Sequence, residues 1–223
     1  MKNILTLAKV NSNPQILEFI SQTDAVLATM GYTEHGLNHS TLVADRARTV
    51  AKEIGLSKKE QEMAAVAAFC HDMGNFISRT NHHYFAALLF HQVFGEEADA
   101  KELVIIMQAI ANHDKDEMEF AHPLSAVLVL ADKSDVRRSR VKTKDIAKIK
   151  TDIHDRVNYA TTVSKLKTDK ENKKITLTLK IDTSFVPIIE YFEIFTERMV
   201  YCRKAAKHLN YDFGLIINNF RLL

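Results

Sequence analysis

The chain has 223 residues, a length typical of one large domain or of one domain with a small appendage. Apolar residues make up 46% of it and charged residues 26%, as in ordinary soluble globular proteins. It contains only six glycines and three prolines, well below the roughly 12% of average usage, so we expect a mostly helical architecture rather than a disordered chain or an all-β sandwich. The formal net charge of +2 is too small to indicate a nucleic-acid-binding protein.

The cysteines and the hydrophobic segments favour a location in the reducing cytoplasm. Cys70 and Cys202 lie in apolar helical surroundings without Cys-x-x-Cys spacing, which argues against a disulfide framework and against a cysteine zinc site. No apolar run approaches the roughly 20 residues of a membrane span, and the first residues have too short an apolar core for a signal peptide. We therefore expect a cytoplasmic protein with no membrane contact.

A series of helices is predicted from apolar residues at helical spacing and from their capping residues. Asn13 followed by Pro14 predicts the start of the first helix, which Gly31 ends. The second helix is predicted to begin near His35 or Asn38 and to end before Gly55.

The following helices are more apolar. Ser57 and Glu60 have the spacing of a capping box, and the helix that they start ends in AAVAAFC, which is apolar on nearly every side. Further apolar segments precede Gly95, precede His113 and follow Pro123. We expect the capping-box helix to be central and buried.

The pattern changes after about residue 156. Residues 174–181 alternate strictly between polar and apolar side chains, which predicts a half-buried strand. Residues 156–166 are a weaker strand candidate and would form a hairpin with it, residues 185–210 have helical spacing, and residues 212–220 are a candidate third strand. We therefore predict a mainly α fold: a helical domain over residues 1–155 and a small C-terminal α+β element of order ββαβ over residues 156–223.

Histidine is concentrated in one part of the chain. Eight of the ten histidines lie between residues 35 and 122, and several follow or open an apolar helix. One of them, His71, is followed by Asp72 at the end of the predicted central helix, where an unpaired carboxylate is costly to bury unless it is hydrogen-bonded or bound to a metal. The candidate metal ligands are the His and Asp residues that lie beside apolar helical segments: His39, His71, Asp72, His82, His113 and Asp132.

Imidazole and carboxylate side chains are ligands for Fe, Mn, Zn, Ni, Co or Mg, and a set without thiolates argues against a purely structural zinc site. Six such ligands exceed what one catalytic metal with open water positions can use. The sequence therefore predicts a divalent metal site with one or two ions.

The ordered pattern of His39, then His71-Asp72, then Asp132 resembles the HD superfamily of metal-dependent phosphohydrolases. The strings that carry the resemblance are LNHSTLVADRA, AAFCHDMGN and VLVLADKSD, within about residues 31–140. The resemblance implies an HD-type helical bundle in which these residues bind metal and Asp72 bridges two ions if both are present. It does not extend to the C-terminal element.

Two further histidines resemble those of HD proteins with two metals. In HHYFAALLF, His82 matches their His-x-x-x-Gly-Ala segment, although His83 is one residue away and stays an alternative. IANHDKDEM resembles their second histidine segment and implies His113 as a ligand. The sequence departs from these relatives in lacking Gly-Tyr-Pro, in having Asn75 where many have lysine, and in having Asp114 where a second histidine is usual.

His35 precedes His39 by four residues, a spacing that occurs in the cyclic nucleotide phosphodiesterases of the same superfamily. The resemblance implies that His35 is a general acid that protonates the leaving oxygen. The alternative is an exposed loop histidine.

The resemblance implies hydrolysis of a phosphate ester or anhydride by attack of a metal-bound hydroxide. We expect the substrate to be a nucleotide. Cationic side chains near the motif residues are candidates for binding substrate phosphates: Arg79, Lys133, Arg137 and Arg138. The alternative function is a non-catalytic nucleotide-binding sensor or scaffold with an HD-like domain. The basic hairpin of the C-terminal element could contact a phosphorylated substrate or a partner subunit in a homodimer, and nucleic acid is not an expected partner.

Overall fold

A computed structural model describes residues 5–115 and 119–223. The described residues are mainly helical, and strands occur only after residue 160. The helices are α1 Leu7–Asn11, α2 Pro14–Thr29, α3 Leu37–Glu53, α4 Lys58–Cys70, α5 His82–Phe94, α6 Ala100–Ala111, α7 Pro123–Lys133, α8 Ile146–Thr151, α9 Ile153–Ala160 and α10 Ile188–His208, with a 3-10 turn at Arg138–Arg140. The strands are β1 Thr161–Asp169, β2 Lys174–Ile181, β3 Asp212–Ile217 and β4 Phe220–Arg221.

The predicted helix starts are confirmed. The Asn13 side chain accepts hydrogen bonds from the first backbone N–H groups of α2, and Pro14 is its first residue. The Ser57 hydroxyl accepts from the Glu60 N–H while the Glu60 carboxylate accepts from the Ser57 N–H, so the capping box of α4 is complete. These local hydrogen bonds fix the residue at which α4 begins.

Helix α4 is the central helix of the bundle, as its composition predicts. Every residue from Met63 to Cys70 is buried, and α4 packs against α3, α6 and α7. Helix α7 is likewise buried from Leu124 to Lys133. Because the C-terminal part of α4 and nearly all of α7 are buried, the polar residues at their carboxyl ends lie in the interior.

The C-terminal sheet has the strand order β1-β2-β3-β4. Strands β1 and β2 form the predicted antiparallel hairpin, and β2 pairs in parallel with β3, which requires a crossover that α10 provides. The apolar residues of β2 are buried as the alternation predicts, and Leu177 lies opposite Leu215. Helix α10 ends before Asn210, whose φ of 60° is the left-handed conformation of a helix stop.

One strand prediction is partly wrong. Residues 156–160 belong to α9, and the strand begins only at Thr161. The Asp152 side chain accepts from the Asp155 N–H and so starts a helix, and Val157 and Ala160 are buried on one side of it. Helical capping and burial therefore decide the structure of residues 156–160, whereas the β-branched residues 161–163 that follow belong to β1. The tail also adds a short fourth strand, β4, to the predicted ββαβ order.

A single hydrophobic cluster contains residues from both parts of the chain, because α10 packs against α7.

No helix among residues 5–115 and 119–223 combines the length and the apolar character needed to cross a membrane. Both cysteines are buried thiols.

Candidate metal centre

Six His and Asp side chains converge where several helix ends meet. His39 comes from the first turn of α3, whose N-terminus is capped by Glu34: its Oε1 accepts from the N–H groups of Gly36 and His39. The others lie at or just beyond helix ends: His71 and Asp72 after α4, His82 at the start of α5, His113 after α6 and Asp132 at the end of α7. All six are buried. The structure therefore brings together the whole predicted ligand set.

The first half of this cluster involves both aspartates. His39 Nε2 and His71 Nε2 lie 3.3 Å apart. Each lies close to Asp72 Oδ2, at 3.5 and 3.2 Å, and to Asp132 Oδ1, at 3.5 and 3.6 Å. Each of these two imidazoles therefore lies within 3.6 Å of an oxygen of both aspartates.

The second half shares Asp72 with the first. His82 Nε2 and His113 Nε2 lie 3.1 Å apart, and they lie 3.2 and 3.6 Å from the other carboxylate oxygen of Asp72, Oδ1. Asp72 therefore presents one oxygen to each pair of histidines.

The far nitrogen of each of these four imidazoles is held by an acceptor. The Nδ1–H groups of His71, His82 and His113 donate to the carbonyl oxygens three residues earlier, at 2.7, 2.8 and 2.7 Å. His39 Nδ1 instead lies 2.8 Å from the carboxylate of Asp135. These bonds favour the tautomer that leaves the Nε2 lone pair for a metal.

This donor set fits a divalent cation. Two Nε2 lone pairs that face each other at 3.1 or 3.3 Å repel unless a proton or a cation lies between them. Burial would raise the pKa of Asp72, but the charges and hydrogen bonds of His71, His113 and His39 hold it well below the usual range. Burial would lower the pKa of His71, but Asp72 and Asp132 raise it to about 10. Groups within the cluster could hold a metal ion in more than one combination.

His82, rather than His83, points into the cluster. The His83 ring packs against Tyr84 at 4.1 Å, and its Nδ1 has no hydrogen-bond partner among the described residues. Burial, aided by His113 and His82, lowers the pKa of His83 to about 4. Gly74 allows the approach of α5 that positions His82, because a Cβ at this residue would meet the His82 carbonyl oxygen at 2.2 Å.

His35 lies two residues before α3, and it is a buried residue rather than an exposed loop histidine. Its Nδ1–H donates to the Thr33 carbonyl at 2.6 Å, and its ring lies 5.6 Å from that of His39. Burial and the positive charge of Arg140 hold its pKa well below 6.5. The imidazole is therefore neutral in the free protein, with Nε2 as its unprotonated nitrogen.

A cavity of about 120 Å³ opens next to the cluster. His35, Asp72, His113 and Asp132 line it, and so do Arg79 and Lys133 of the predicted phosphate-binding residues. An adjoining cavity of about 310 Å³ shares His35 and Arg79 with it and includes Tyr32.

The structure does not bring Arg137 and Arg138 to either of these cavities. Arg137 donates to Asp135 Oδ1 at 2.8 Å, and the Arg138 guanidinium lies 4.4 Å from the centre of the Tyr159 ring.

Three residues of the site were absent from the predicted set. Asp135 anchors His39, and Arg140 and Arg198 line both cavities. The signal for Asp135 was its position as a second carboxylate, three residues after Asp132 in the sequence. Arg198 carried no such signal, because α10 has several other charged residues, and only the packing of α10 on α7 shows where it lies.

The comparison with known families agrees with this geometry. A model of the HD domain matches residues 36–181, about two thirds of the chain, and all six clustered residues lie inside the match. The protein therefore belongs to the HD domain family, part of a superfamily of metal-dependent phosphohydrolases. No protein of curated function matches the chain.

Proposed function

We propose that the protein is a metal-dependent phosphohydrolase that cleaves a phosphate ester or anhydride of a nucleotide. The observation that carries the proposal is the division of one carboxylate, Asp72, between two pairs of histidines whose Nε2 atoms all face it within 3.6 Å. Membership of the HD domain family supports the same reaction class.

His39, His71, Asp72, His82, His113 and Asp132 would hold one or two divalent ions. Such an ion supplies a nucleophile at neutral pH from bound water and offsets charge on phosphoryl oxygens. Nitrogen and oxygen donors without thiolates suit Fe, Mn, Zn, Ni or Co, and Mg is the least favoured by four imidazoles.

Neighbouring residues hold this set in place. The Asn75 amide, which occupies the position where many relatives have lysine, donates to Asp72 Oδ1 at 3.1 Å. Asp114 accepts from the Lys133 ammonium at 2.5 Å, and Lys133 lies 3.0 Å from Asp132 Oδ2. Asn75 therefore orients the shared carboxylate of Asp72, whereas the Lys133 ammonium offsets the negative charges of Asp114 and Asp132.

His35 is the proposed proton donor to the leaving oxygen. Its pKa is lowered in the free protein, so it can donate only after a bound phosphate, whose negative charge raises a neighbouring imidazole pKa, has favoured the protonated form. Arg79 and Lys133 are the proposed phosphate contacts, since both line the cavity that contains Asp72.

The substrate is proposed to be a small nucleotide. The cavity beside the cluster has room for a phosphate group, and the adjoining cavity of about 310 Å³, with Tyr32 on its wall, has room for an attached organic group. A non-catalytic sensor gains no support from this site, because it would not need six convergent metal-type ligands.

The test is a hydrolysis screen of mononucleotides, dinucleoside polyphosphates and cyclic dinucleotides, with protein stripped of metal and reloaded with Mn²⁺ or Fe²⁺. We expect phosphate release from at least one class, and its loss in Asp72→Ala. Metal-loaded protein that releases no phosphate from any class would refute the proposal.

A further inference from the structure

Helix α10 presents one face to the cavity beside the cluster. Ile194, Glu197, Arg198 and Tyr201 all line this cavity, and their spacing of i, i+3, i+4 and i+7 places them on one side of a helix. The helix lies beyond the part of the chain that matches the HD domain. The C-terminal element therefore forms one wall of the cavity that contains Asp72 and Asp132.

Most cations on the wall of this cavity are already paired with protein acceptors. Lys133 pairs with Asp114 and Asp132. Arg79 donates to Asn75 Oδ1 at 2.9 Å. Arg140 donates twice to the Glu34 carbonyl, at 3.0 and 2.8 Å.

Arg198 differs from these three. Within residues 5–115 and 119–223, its guanidinium has no hydrogen bond or ion pair, and it lies 4.6 Å from the centre of the Phe195 ring. The side chain is half-buried and lines both the inner cavity and the adjoining one. A guanidinium that is partly withdrawn from water without an acceptor carries a desolvation cost. An anion in the inner cavity would supply the missing acceptor.

We infer that Arg198 binds the phosphoryl oxygens of the substrate, so that the C-terminal element completes the phosphate site of the HD domain. The planar guanidinium can donate two parallel hydrogen bonds to a phosphate, which a lysine at the same place cannot do. It lines both cavities, as a residue that contacts a phosphate joined to an organic group would. For the reaction itself this inference rests on the proposed function.

The experiment is calorimetric titration of orthophosphate into Mn²⁺-loaded protein. Loss of hydrogen bonds to a charged group predicts that Arg198→Gln binds phosphate about 10- to 100-fold more weakly than the unmodified protein. The matched control is Arg203→Gln, on an exposed part of the same helix, which should bind phosphate as the unmodified protein does. The metal content and circular dichroism of both variants should be unchanged. If Arg198→Gln does not fold, Arg198→Lys replaces it, and we expect a severalfold weaker affinity from the loss of the second hydrogen bond.

Unchanged phosphate affinity in the folded Arg198 variant would overturn the inference, as would an unmodified, metal-loaded protein that binds no phosphate. The two proposals can fail separately. Phosphate binding that depends on Arg198, without hydrolysis of any nucleotide, would refute the phosphohydrolase and leave the phosphate site. Hydrolysis with full phosphate binding by Arg198→Gln would do the reverse.

Discussion

At the scale of single residues, the four clustered histidines differ from His83 in how their rings are held. Each of the four has Nδ1 against a protein acceptor and Nε2 near an Asp72 oxygen, whereas His83 Nδ1 has no partner among the described residues. Ring orientation therefore separates side chains that are adjacent in the sequence.

This difference predicts unequal effects of two neighbouring substitutions. His82→Ala should remove a donor and weaken the binding of Mn²⁺ to metal-free protein by at least about tenfold, whereas His83→Ala should leave the affinity within about twofold. Calorimetric titration of Mn²⁺ into each variant measures both. Equal losses, or a larger loss in His83→Ala, would contradict the assignment of His82 as the ligand.

Asp135 provides a second residue-scale prediction. Its buried carboxylate accepts from His39 Nδ1, and it also lies 2.8 Å from Arg137 Nε. Asp135→Asn should weaken metal binding about 10- to 100-fold, because an anchor that orients a ligand has been replaced by a weaker acceptor. The control is Asp45→Asn, an exposed aspartate on the same helix as His39, and it should bind metal normally. An Asp135→Asn protein with unchanged affinity would show that His39 does not depend on this anchor.

The sequence was sufficient to select five of the six clustered residues without an alternative, because each lies beside an apolar helical segment that was predictable. It could not distinguish His82 from His83, since that choice depends on a carbonyl oxygen of Arg79 that only the turn before α5 places near the ring. It also could not place Arg198, because the approach of α10 to the cavity is a tertiary contact between distant parts of the chain.

At the scale of helices and strands, local capping sets the positions of the site residues. The capping box of α4 fixes the start of the helix whose other end carries His71 and Asp72. Where a capping residue was read from the sequence, the helix start agreed with it. Where the cap was overlooked, as at Asp152, the last residues of a helix were predicted to belong to the strand that follows.

Ser57→Ala tests this role of the cap. Loss of the N-cap hydroxyl should lower the free energy of unfolding by about 1 kcal/mol at neutral pH, and Lys58→Ala, at an exposed neighbour, should change it far less. Hydrogen bonds from the Ser57 hydroxyl and N–H lower the pKa of Glu60. The stabilisation from these bonds is therefore present above the unfolded pKa of about 4.3 and decreases as the pH falls through the folded value.

Urea denaturation of metal-free protein between neutral pH and about pH 4 measures both effects. The difference between Ser57→Ala and the unmodified protein should shrink toward the acidic end. A difference that grows on acidification would contradict this account of the cap.

At the scale of the whole molecule, the helical bundle and the C-terminal element enclose one cavity. The bundle supplies Asp72, His113 and Asp132 to its wall, and α10 supplies another part of the wall. The near-zero net charge of the chain is consistent with this arrangement, because recognition of a phosphate would depend on a bound metal and a few local cations rather than on a basic surface.

The central claim is that the His/Asp cluster binds a divalent metal, and titration of Mn²⁺ into metal-free protein, monitored by calorimetry and by the thermal unfolding temperature, tests it most directly. We expect saturable binding and a rise in the unfolding temperature, because a ligand at 100 times its Kd stabilises the folded state by about 2.7 kcal/mol. His71→Ala and Asp72→Ala should lose both effects while their helical circular dichroism remains. Absence of binding by the unmodified protein, or full binding by either variant, would contradict the claim.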